Sequence, residues 1–253
     1  MQVSNSGMKR LIVCFVVFAF LVFLAGCAPQ EALPQETPSD EIEEATGETA
    51  AETIKEIPVA EVDETSMFGV DKNINVGNID EWLGRDDVVY IDVRMPIDPA
   101  DFEAIGIDPV LSGTVEGFEV VPRPLLANMT GLPEPVEATK YSGPTLFTLT
   151  WDEEGNIDTV TPNYRESKMV INDLFPVDKP IFLMCGAGGY AGMTKALLLK
   201  LGYNPDLLFN LGGFIDYKGN NAINIKVQYD GNEYNALHRL KYHIIDFEQL
   251  HAN

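Results

Sequence analysis

Positive charge is scarce in this chain. Only 17 Lys and Arg stand against 39 Asp and Glu, for a net charge of −22. No basic stripe exists to neutralise phosphates, which excludes nucleic acid as a partner. Histidine is limited to His238, His243 and His251. Their spacings of five and eight residues do not bring them to one face of a helix or strand, so no metal site is expected from them. Cysteine occurs three times, at Cys14, Cys27 and Cys185. A disulfide-stapled scaffold needs more than this, and the 45% hydrophobic content is enough for a packed core without one.

The N-terminal stretch is a targeting signal rather than a domain. Lys9-Arg10 precedes an uninterrupted apolar run, Leu11 to Leu24, and Leu24-Ala25-Gly26-Cys27 follows at once. Fourteen apolar residues fall short of the roughly 20 that span a bilayer. The pattern resembles a bacterial lipoprotein signal peptide over residues 1–27, which implies lipid on Cys27, attachment to a membrane and a domain facing away from the cytoplasm. An uncleaved short anchor is the alternative. From Glu31 to Glu64 there are twelve acidic residues against Lys55 alone, with Pro, Thr and Ala between them and no apolar period. Residues 28–66 therefore read as a disordered, self-repelling spacer, or else as an acidic interaction tail. With Cys14 in the signal and Cys27 under lipid, Cys185 is the one thiol expected in the exported domain.

Cys185 ends an apolar run, Ile181 to Met184, that reads as a buried strand. Gly186, Ala187, Gly188 and Gly189 follow, and from Ala191 the pattern turns helical, with Met193, Ala196, Leu197 and Leu201 on one stripe and Gly202 as the stop. A thiol between a strand and a helix N-terminus, facing a turn of backbone N–H groups, is favoured as the thiolate. The plainer alternative is an inert cysteine at the end of a core strand.

Three further segments extend the pattern. Val88 to Val93 reads as a second buried strand closed by Asp92-Val93-Arg94, with Pro96 and Asp98 beyond; Ser112 to Pro122 reads SGTVEGFEVVP; and Asn210-Leu211-Gly212-Gly213-Phe214 is a Gly-Gly turn. With the Cys185 loop, these four motifs in this order resemble the rhodanese (sulfurtransferase) family over roughly Asn78 to Tyr217. The resemblance implies an α/β fold with a mostly parallel central sheet and helices on both faces. It also implies Cys185 as the sulfur-carrying nucleophile, a cradle of loop groups from Gly186, Ala187, Gly188, Gly189, Tyr190 and Ala191, and no cofactor. Asp92 and Arg94 are expected to form a salt bridge supporting the site. A small sulfur-containing donor and a thiol or cyanide acceptor would be the partners; no protein partner is identifiable.

The chain also departs from the family. Thr114 and Glu116 stand where His and Pro are usual, and Tyr190 stands where the family has an arginine five residues after the cysteine. Recognition of an anionic donor such as thiosulfate should suffer. That loss leaves open a non-catalytic module that binds a partner, carries sulfur or senses oxidation. Gly186 to Ala191 also satisfies G-x-G-x-x-G/A, the dinucleotide-binding pattern, but too little chain follows Gly202 for the remaining βα units.

The organisation expected is a signal peptide (1–27), a spacer (28–66), a rhodanese-like domain (67–217) and an extension (218–253). Asn78 to Leu83 reads as a short capped helix. Leu146 to Thr150 and Ile157 to Val160 read as a hairpin about the Asp152 to Asn156 turn, and Asn163 to Leu174 as a helix. A second hairpin is expected about Asp230-Gly231-Asn232.

Overall fold

The computed structural model describes residues 55–94, 113–132, 141, 143–224, 226–229, 232–235 and 240–253. The signal, Cys27, most of the spacer, Pro96, Asp98, Ser112 and His238 lie outside the described residues.

Strand β1 (Val89–Asp92) is central, and after it come β2 (Gly113–Val115), β3 (Glu119–Val120) and a one-turn helix α1 (Arg123–Leu126). The hairpin β4 (Phe147–Trp151) and β5 (Ile157–Pro162) precedes helix α2 (Ser167–Leu174). Then β6 (Ile181–Cys185) leads into helix α3 (Gly189–Lys200) and β7 (Leu208–Gly213), and β8 (Ala222–Asn224), β9 (Lys226–Tyr229) and β10 (Asn232–Asn235) complete the strands. The main sheet has the order β3-β1-β6-β7 and every pairing in it is parallel. The fold is thus mixed α/β with a four-stranded parallel centre and few helices.

All five residues of β6 are buried, as a strand covered on both faces requires. The two-residue side-chain period divides the sheet cleanly. Ile91, Val93, Ile181, Leu183 and Cys185 face one apolar cluster with Ile171, Phe175, Ala191 and Leu197 from α2, the residue that ends it, and α3. Tyr90, Phe182, Met184, Phe209 and Leu211 face a second cluster with Ile74, Ile79 and Trp82. Phe182 meets Tyr90 and Phe209 edge-on, with ring centroids 5.6 and 5.0 Å away.

Several expectations change here. Among the described residues no α-helix covers the second face; loops and 3-10 turns do. The segment read as a capped helix from Asn78 is a single 3-10 turn, Ile79–Glu81. Asn78 does not cap it, because its side chain donates to the Asn73 carbonyl and accepts from the Asn75 N–H. Helix α2 starts only at Ser167, after a Tyr164–Ser167 turn closed by the Ser167 N–H on the Tyr164 carbonyl. The end of the spacer is folded: Ile57 and Ala60 pack on the second cluster, and the Ala60 N–H donates to the Asp206 carbonyl at 3.1 Å. Both hairpins form, while β8 pairs antiparallel with β2. The terminal segment is also tied in, the Asn253 N–H donating to the Asn163 carbonyl and His251 pairing with Glu166.

Candidate active site

Register aligns the carboxyl ends of the central strands. Asp92 lies opposite Met184 on one side and Val120 on the other. The Val93 N–H donates to the Met184 carbonyl and the Arg123 N–H to the Val93 carbonyl, each at 2.9 Å. Cys185, Val93 and Arg123 therefore occupy one edge of the sheet, where parallel α/β folds place their sites.

The loop after Cys185 is built by backbone contacts. Gly188, the N-cap of α3, has φ +98°, a conformation that a side chain would strain, and its N–H donates to Cys185 Sγ at 3.0 Å. The Gly186 carbonyl accepts from Ile215 N–H, and the Gly188 carbonyl from Gly192 N–H and Asn210 Nδ2. Asn210 also donates to the Phe68 carbonyl and accepts from Gly212 N–H, so one buried amide braces three backbone segments. A Cβ on Gly213 would collide with the Ala187 backbone and the Gly186 carbonyl, which explains the Gly-Gly turn beside the loop. The amides of Gly189, Tyr190 and Ala191 open α3, where no preceding helical carbonyl is available to them. These groups make the neighbourhood of Cys185 favourable for an anion. Cys185 as a whole is only 3% exposed.

Asp92 and Arg94 form a buried pair beside this loop. Arg94 Nε donates to both carboxylate oxygens of Asp92 at 2.9 and 3.1 Å, and Nη2 pairs with the same carboxylate. Nη2 also reaches the Gly113 carbonyl at 2.6 Å, and Thr114 Oγ1 donates to Asp92 at 2.8 Å. The guanidinium lies over the Phe214 ring, 5.1 Å from its centroid. A Cβ at Gly186 would come within 3.9 Å of Arg94 Cδ, so the pair abuts the loop.

Tyr190 lies in the first turn of α3, buried in the same apolar cluster as Cys185. Arg123 lies nearby and was not singled out by any motif. It is fully buried, and its Nη1 donates to the Ala127 carbonyl at 2.6 Å. Among the described residues its Nε and Nη2 have no hydrogen-bond partner. Burial pulls its pKa down to about 10, opposed by the Coulombic influence of Tyr190. It is still a cation at neutral pH. A signal for it did exist: Val120-Val121-Pro122-Arg123-Pro124-Leu125-Leu126 places one charge inside an otherwise apolar run.

A groove of about 610 Å³ runs along the outside of α3, lined in part by Phe68, Trp151, Gly189, Met193 and Leu199. The β4–β5 hairpin thus flanks the helix that follows the loop. A smaller cavity of about 270 Å³ borders the Arg123 turn at Pro124 and Ala127. Cys185 lines neither. His243 and His251 pair with Glu119 and Glu166, and among the described residues no three of His, Cys, Asp and Glu converge on a metal site. Among the described residues the main sheet receives a single strand after α3, β7.

The class defined by fold and site is a mixed α/β domain with a buried thiol at a strand–loop–helix junction. No family model, curated protein or solved structure matches the chain.

Proposed function

We propose that the chain is a rhodanese-like sulfurtransferase that moves sulfane sulfur through a persulfide on Cys185. The observation that carries this reading is the thiol at the carboxyl end of β6 accepting a 3.0 Å hydrogen bond from the Gly188 N–H at the start of α3. Amides and a helix N-terminus so arranged can cradle the negative charge of a sulfur nucleophile and of the persulfide it forms.

In the first half-reaction the Cys185 thiolate attacks the outer sulfur of a donor. A bond forms between Sγ and that sulfur, and the donor's own bond to it breaks. The electron pair leaves with the remainder, as sulfite from thiosulfate or as a shorter polysulfide. The loop from Gly186 to Ala191 then surrounds a terminal sulfur bearing negative charge. In the second half-reaction a thiolate or cyanide attacks this sulfur and the Cys185 thiolate departs, restored. The two steps balance without an external oxidant and require no cofactor. Asp92 and Arg94 hold the loop's floor in place.

The sequence pattern around Cys27 supports an extracytoplasmic location, with the domain tethered to a membrane through lipid. Among the described residues no helix is long and apolar enough to cross a membrane. The near-complete burial of Cys185 favours one rival, a rhodanese-like module whose thiol carries sulfur or senses oxidation only when a partner opens the site.

Turnover separates the two. The full chain in detergent, given polysulfide and cyanide, should form thiocyanate faster than Cys185→Ser by a wide margin. Equal rates would overturn catalysis and leave the module.

A further inference from the structure

We infer that Arg123 is the anion-selecting residue of the Cys185 site, and that the donor it selects is a small sulfur oxyanion of the thiosulfate class. This rests on the sulfur-transfer reading and sharpens it.

The placement comes from register. Val121, Val93 and Cys185 belong to one apolar cluster on one side of the sheet, and Tyr190 of the loop belongs to it too. The Arg123 backbone bonds to Val93, whose own strand is hydrogen-bonded to β6, and its guanidinium lies within electrostatic reach of the Tyr190 side chain. The loop carries no cation, since Tyr190 occupies the position five residues after the cysteine. Arg123 brings one to the same side from another element.

Its hydrogen bonding is that of a binding group rather than a structural one. A guanidinium is a planar fork with five N–H donors, and burying it without partners is costly. Arg94, on the adjacent strand end, has its fork filled by Asp92 and Gly113. Arg123 engages one carbonyl, leaves Nε and Nη2 open, and pairs with no carboxylate among the described residues. Those two nitrogens lie on one edge of the fork and match two oxygens of a sulfonate head in bidentate fashion. In thiosulfate such a head is bonded directly to the sulfane sulfur. As the Cys185 Sγ–S bond forms and the S–S bond to the head breaks, the electron pair departs on sulfite, and the guanidinium would hold that growing charge.

The test compares two reagents in which the same kind of bond, sulfur to an oxidised sulfur, is broken at Cys185. Thiosulfate is an anion and leaves a persulfide. Methyl methanethiosulfonate is neutral, leaves a methyl disulfide and expels methanesulfinate. Rates on the full chain in detergent are read by intact mass. For Arg123→Met the thiosulfate rate should fall about tenfold or more, the scale of a lost charge-assisted hydrogen bond, while the neutral reagent changes by less than about twofold. Arg123→Lys should recover part of the thiosulfate rate. Arg123→Gln, which keeps a polar head without the charge, should behave as Met does and stands in for it should Met not fold. Equal changes with both reagents, or none, would overturn the inference. If polysulfide loads Cys185 in the wild type but thiosulfate does not, Arg123 selects no oxyanion and the transfer reading survives. If neither loads it, both fall.

Discussion

Arg94 and Arg123 stand at neighbouring strand ends of one sheet, both buried, and they are held in opposite ways. Arg94 is locked to Asp92, with Thr114 on the carboxylate, Gly113 on the guanidinium and Phe214 beneath. Among the described residues Arg123 has one carbonyl partner and an electrostatic neighbour in Tyr190. A buried charge with its partners in place is part of the architecture. One without them is either a cost or a site. Energetics therefore separates the half of the sheet edge whose buried charge is compensated from the half whose charge is not.

The largest effect should come from unbalancing the locked pair. Asp92→Ala leaves the Arg94 charge buried and uncompensated, and should lower the unfolding free energy by about 3–5 kcal/mol in denaturant titrations. A loss below about 1 kcal/mol would mean that the pair is not the floor of the site. Next comes Gly213→Ala, which pushes a methyl group into the Ala187 backbone. A cost of about 1–3 kcal/mol is expected, together with slower sulfur loading, because the loop must move to relieve the overlap. Unchanged loading would show that loop position is not critical.

Arg123→Met should have the opposite sign. Replacing an unpartnered buried cation with an apolar chain of similar length should leave stability equal or raise it by about 1 kcal/mol or more. A loss as large as that of Asp92→Ala would erase the distinction between the two arginines. The smallest effect is in pH dependence. Burial holds Arg123 to about 10 in the folded protein, well below the value of the free group. Between these values the unfolded chain binds the proton that the folded chain has released, so wild-type stability gains as pH rises through about 10. Any advantage of Arg123→Met should accordingly narrow above that pH, as thermal melts of the two proteins side by side would report.

Much of the locked half was legible in the sequence. The apolar run ending in Cys185, the glycine burst and the periodic stripe of α3 are local signals, and Asp92-x-Arg94 carries both partners of its ion pair within three residues. The Asp152 to Asn156 turn likewise announces its hairpin, with Gly155 at φ +82°. Features decided by distant chain were less accessible. The order β3-β1-β6-β7 depends on which strands find each other, and short β2 and β3 carry no periodicity of their own. Asn78 looked like a helix cap because Asn often is one, but its side chain is taken up by Asn73 and Asn75. The acidic spacer ends earlier than its composition suggests, since Ile57 and Ala60 find a place on the second cluster. Arg123 carries no motif signal, because the family resemblance places a cation within the loop, at the position of Tyr190. Here the cation comes from a different strand end, which no spacing rule for the loop would detect.

The central claim is that Cys185 carries sulfur. Intact mass of the full chain after exposure to thiosulfate and, separately, to polysulfide tests it most directly, with Cys185→Ser beside it. The account predicts one added sulfur at Cys185 with either donor, none in the serine variant, and its removal by cyanide. A folded wild-type protein that gains no sulfur from either donor would contradict it.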